Sequence, residues 1–123
     1  MTSDPIPDDI RELVVKSIDS VAQLEALLFL RGFGGLGLDL SALAQRLFAP
    51  DVEMEAALAR LQRDGFVKEE HGKFRYDAPA VLTEKVDRLA VIYRRHLIPI
   101  TNLIHSKPSA AWTFSDAFIF RKE

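Results

Sequence analysis

The chain has 123 residues, 48% of them apolar and 28% charged, with a net charge of −2 and no cysteine. That length suits one domain with a modest core, and the lack of cysteine excludes disulfides, thiolate metal sites and cysteine nucleophiles. The longest apolar run, residues 26–30, is far too short to cross a bilayer, and the acidic opening MTSDPIPDD lacks a signal-peptide layout, so a cytoplasmic protein is expected.

Residues 1–7 hold two prolines and read as a loose arm. Asp8 or Asp9 is expected to cap a helix over residues 8–18, whose Ile10, Leu13, Val14 and Ile18 share one face. Asp19-Ser20 interrupts it, and Ser20 with Gln23 forms a capping box for the next helix, residues 21–31. That helix should bury Val21, Leu24, Leu27, Leu28 and Leu30. Gly32-Phe33-Gly34-Gly35-Leu36-Gly37 then matches the letters of the dinucleotide fingerprint G-x-G-x-x-G. The fingerprint works only between a strand and a helix that can cradle a pyrophosphate. Here it follows a helix, so it reads as a helix stop and connection, and no cofactor is expected.

The most informative stretch is residues 39–77. Asp39 is a good N-cap, and Leu40, Leu43, Ala44 and Leu47 recur at helical spacing behind it. Phe48-Ala49-Pro50 ends this helix, because the residue before proline is pushed out of helical geometry. Asp51 opens a second helix, with Met54, Ala57, Leu58 and Leu61 inward and Gly65 at its end. Phe66-Val67 starts a strand, His71-Gly72 turns it, and residues 73–76 return with two-residue alternation.

Ala78-Pro79 leads into a long helix, residues 81–97, with Leu82, Val86, Leu89, Ala90, Tyr93 and Leu97 as its stripe. Pro99 predicts a kink or break near residues 95–97, after which Ile100, Leu103 and Ile104 carry the apolar face to about Ser106. Lys107-Pro108-Ser109 reads as a loop and residues 110–120 as a short helix. Its Trp112, Phe114 and Phe118 must be covered, against the long helix or on another chain.

The order helix, helix, turn, helix, hairpin over residues 20–77 resembles the winged helix-turn-helix superfamily. Segments 20–31 and 103–123 also resemble short bacterial winged-helix proteins of unassigned function, which implies architecture only. The expected fold is therefore mainly α with a small β-hairpin wing, a winged helix-turn-helix with N- and C-terminal helical extensions. It would be a single domain: core 20–77, N-terminal helix 8–18, long C-terminal helix 80–106 and terminal short helix 110–120.

In DNA-reading members of that superfamily the second helix of the motif enters the major groove and presents basic or amide side chains. This chain departs from the pattern. Asp51, Glu53 and Glu55 occupy the leading outward half of that helix with no base among them, against a partner whose phosphates dominate binding. Residues 39–84 carry nine acids and six bases, whereas residues 85–123 carry seven bases and three acids. The candidate nucleic-acid contacts are Arg60, Arg63, Lys68, Lys73 and Arg75.

His71, His96 and His105 are too scattered for a zinc site, and no nucleophile, base and acid cluster is legible, so neither metal nor catalysis is expected. The reading is a small cytoplasmic regulatory module acting mainly through protein–protein contacts. The alternative is a DNA-binding transcriptional regulator. A homodimer is expected, with Val86, Leu89, Tyr93, Trp112, Phe114 and Phe118 as candidate dimer or partner contacts.

Overall fold

The computed structural model describes residues 6–35 and 37–106. Among them are six helices and one two-stranded antiparallel sheet, so the fold is mainly α with a small β-hairpin. The elements run α1 (Asp8–Ser17), α2 (Val21–Phe33), α3 (Leu40–Leu47), α4 (Asp51–Arg63), β1 (Val67–Glu70), β2 (Lys73–Tyr76), α5 (Ala80–Arg95) and α6 (Leu97–Ser106). This order is compatible with a winged helix-turn-helix.

Helix α1 buries Ile10, Leu13 and Val14, and Ile18 just beyond it is also sealed. Pro7, not Asp8 or Asp9, occupies its N-cap position. Asp9 instead lies in the first turn and accepts two hydrogen bonds from the Arg88 guanidinium, at 2.7 and 3.1 Å, tying α1 to α5. The corner into α2 is held by Gln23, which is 1% exposed. Its backbone amide donates to Ser20 Oγ at 3.1 Å. Its side chain accepts from the Asp19 amide at 2.8 Å and donates to the Ser17 carbonyl at 2.6 Å. Ser20 thus caps α2 as expected, while the return bond of the capping box goes to the Asp19 amide, one residue before the cap, and Gln23 also serves the end of α1.

Asp39 caps α3 by accepting from the Ala42 amide at 2.8 Å. Helix α4 turns Met54, Ala57, Leu58 and Leu61 inward, where it packs on α2 and α3. Phe66 and Val67 then join the same core. At the hairpin tip both His71 and Gly72 have positive φ, 55° and 79°, the signature of a type I′ turn that suits the strand twist. A further pairing joins the glycine-rich connection to the hairpin. Leu38 bridges Phe74, with amide-to-carbonyl bonds of 3.0 and 2.8 Å in the two directions. The end of the connection therefore acts as a short third strand, and the dinucleotide-like letters serve the wing.

Helix α5 ends at Arg95, and His96 (φ −132°, ψ 56°) breaks the chain before α6. Pro99 then falls in the first turn of α6, where a missing amide donor is harmless. Helices α1, α5 and α6 pack on one another as one layer beside the α2–α4 unit. A single apolar cluster runs through both. The segment holding Trp112, Phe114 and Phe118 lies outside the described residues.

Candidate functional site

The outward face of α4 follows from its inward one. With four positions sealed in the core, Asp51, Val52, Glu53, Glu55, Ala56, Ala59 and Arg63 are exposed. The acids at its start suit the positive end of the helix, so the negative charge there is locally favourable. Just before it, Phe48 ends α3 with φ 56°, a left-handed conformation that is uncommon for a bulky residue. Its amide donates back to the α3 carbonyls, and its ring is 94% exposed. Val52, in the first turn of α4, is 73% exposed. The leading corner of the motif therefore exposes two apolar side chains, and the exposed charged residues on the first half of α4, Asp51, Glu53 and Glu55, are all acidic. From sequence, Phe48 reads only as part of a helix stop; its exposure depends on which way the α3–α4 corner turns.

Of the five candidate nucleic-acid contacts, Arg60 is not available. Its guanidinium bonds Asp64 at 2.8 Å and the Lys16 carbonyl at 2.7 Å, and it also pairs with Asp19. It fastens α4 to the α1–α2 corner, and these partners hold its pKa above the usual arginine value, with the Asp64 hydrogen bond the largest cause. On the wing, Lys68 and Arg75 face each other across the strands. Their repulsion is relieved by Asp77, 3.3 Å from Lys68 and 3.7 Å from Arg75, while Glu70 lies 3.3 Å from Arg75. Asp77 is a residue that sequence reasoning missed. Arg63 is well exposed, and among the described residues its one ion-pair partner is Asp64 at 3.8 Å. Lys73 is exposed and makes no ion pair among the described residues.

Two of the expected dimer contacts are overturned. Val86 and Leu89 are both 0% exposed, because α5 packs on α1 and α6 within one chain. No surface is left on them for a symmetric copy. Tyr93 continues the same stripe of α5, about two turns beyond Val86, where it meets an open groove of about 610 Å³ between α2 and α5. Leu28, Phe29, Leu47, Ala90 and Leu97 give this groove its apolar lining. Across it the Tyr93 hydroxyl donates to Glu25 Oε2 at 3.1 Å, and Arg31 pairs with Asp87 at 2.7 Å. At its edge the Arg46 guanidinium lies 5.8 Å from the Phe29 and Phe33 ring centres.

Burial, and then the Glu25 carboxylate, push the Tyr93 phenol up to about 12. The folded chain therefore holds this proton at pH values where the unfolded chain, with a phenol pKa near ~10, has lost it. Its contribution to stability is complete below that unfolded value and disappears as pH rises through the folded one. Ultraviolet titration should show a late phenolate step that Tyr93→Phe removes. Loss of all phenolic protons near the ordinary value in the folded chain would contradict the Tyr93–Glu25 contact.

Among the described residues no group of three or more His, Cys, Asp or Glu side chains converges to hold a metal. No described helix is long and apolar enough to cross a membrane. Comparison with known proteins finds no matching family model, no matching curated protein and no matching solved structure.

Proposed function

We propose that this chain is a winged helix-turn-helix regulatory module that works mainly through protein contacts and has no catalysis of its own. The observation that carries this reading is the leading corner of α4. Phe48 and Val52 stand exposed there, and the exposed charged residues on the first half of α4, Asp51, Glu53 and Glu55, are all acidic. Exposed apolar side chains on an acidic helix start suit a protein cleft flanked by basic residues, whereas the same acids would repel a DNA phosphate chain. The left-handed conformation of Phe48 supports the same reading, since strain at an exposed bulky residue is a recurrent mark of functional positions.

The second reading, a DNA-binding transcriptional regulator, draws on the fold likeness and on the solvent-facing Arg63 and Lys73. The two are separated by titrating labelled duplex at low and near-physiological salt. Weak, sequence-indifferent binding that vanishes at the higher salt is expected, with Lys73→Ala reducing it further. Tight, site-selective binding that survives would establish the second reading. For the protein-contact reading, Phe48→Asn keeps a residue tolerant of positive φ and should change stability by less than about 0.5 kcal/mol. It should abolish capture of whichever protein the unmodified chain retains, and unchanged capture would refute the assignment.

A further inference from the structure

We propose that residues 107–123 of the same chain fold back and occupy the groove between α2 and α5. The groove has an apolar floor of Leu28, Phe29, Leu47 and Ala90. Leu97 at its end is 48% exposed and the adjacent Ile98 is 62% exposed. Apolar surface of this extent calls for a cover.

The segment has the matching chemistry. It carries Trp112, Phe114, Phe118, Ile119 and Phe120, and Ala111, Phe114 and Phe118 fall at helical spacing. Docking thus brings the rings onto the apolar floor.

The reach is sufficient. Leu97 lines the groove, and Ser106, the last described residue, lies nine residues on along α6, about 14 Å at the helical rise. Six extended residues span roughly 20 Å, so Trp112 and everything after it can return to Leu97. A segment tethered at this distance acts at an effective concentration on the order of millimolar, so it fills the groove before a second copy at micromolar concentration can.

Trp112 is the chain's one tryptophan, so its fluorescence reads the occupancy directly. In the full chain its emission should be blue-shifted relative to tryptophan in water, and equally so across a wide range of protein concentration. Ala90→Lys, which places a long charged chain in the groove, should shift it to the red. Phe118→Ser should do the same from the segment's side. Val91→Lys, one residue further along α5 at a position 43% exposed and outside the groove lining, should not. Circular dichroism melts confirm that each variant is folded. The proposal is overturned by water-exposed emission in the unmodified chain, or by Ala90→Lys and Phe118→Ser leaving emission unchanged. It is equally overturned by a blue shift that grows with concentration in step with doubling of the mass, which would assign the groove to a second copy.

Discussion

Gly37→Ala should lower the melting midpoint by more than about 10 °C, whereas Gly32→Ala should leave it unchanged or raise it slightly. A Cβ built on Gly37 would sit 2.1 Å from the Phe74 carbonyl oxygen and 2.7 Å from its carbon. Those are backbone atoms that cannot swing aside, and they belong to the Leu38–Phe74 pairing. The substitution must therefore separate two hydrogen bonds and also force alanine into a φ of 86°. Losing both bonds and adding backbone strain comes to about 3–5 kcal/mol. Gly32 lies within α2, where an added Cβ meets nothing within 4 Å, so alanine there gains helix propensity of about 0.5–1 kcal/mol. Thermal denaturation of the two variants side by side checks both statements. A Gly37→Ala chain that melts like the unmodified one would show that the connection does not pair with the wing.

Leu89→Ala should destabilise the chain by about 2–5 kcal/mol through lost burial and the cavity left behind. Its denaturant midpoint should fall by the same amount at every protein concentration, because Leu89 is sealed within one chain at 0% exposure. Val91→Ala, at 43% exposure, should shift it by less than about 0.5 kcal/mol. A loss that grows on dilution would return Leu89 to an interface between copies, as the sequence alone suggests.

The acid limit of stability should depend on the layer formed by α1 and α5. The Arg88 hydrogen bonds hold the Asp9 carboxyl below its ordinary range, and Lys16 does the same for Glu12 on α1. Depressed folded values mean that these contributions are complete above the ordinary carboxylate pKa and are lost as pH falls through the folded ones. Arg88→Met should therefore flatten the acid side of a stability profile, most clearly at low ionic strength because both groups are exposed.

The chain order of helices and hairpin was legible because each signal is local. Asp39 caps the amide of Ala42, three residues away, and Met54, Ala57, Leu58 and Leu61 reveal a buried face through their spacing alone. His71-Gly72 specifies its turn through backbone conformations that few residue pairs adopt. Pro99 likewise announces the break at His96 from three residues away. The acidic lead of α4 could also be read directly, since its inward positions dictate its outward ones.

What only the tertiary structure decided involves partners distant in sequence. Arg60 reaches Asp19 across 41 residues and Arg88 reaches Asp9 across 79, so no spacing rule distinguishes a structural arginine from a phosphate contact. The stripe of α5 shows the same limit. Val86 and Leu89 turn into the chain's own α1–α6 layer while Tyr93 faces the α2 groove. Helical periodicity says which residues share a face, but only the packed neighbours determine what that face meets. The Leu38–Phe74 bridge and the exposed Phe48 are likewise set by how the connections fold over the core. Caps, turns and periodicity were written locally, whereas charge pairing, the groove and the leading corner of α4 arose when distant segments came together.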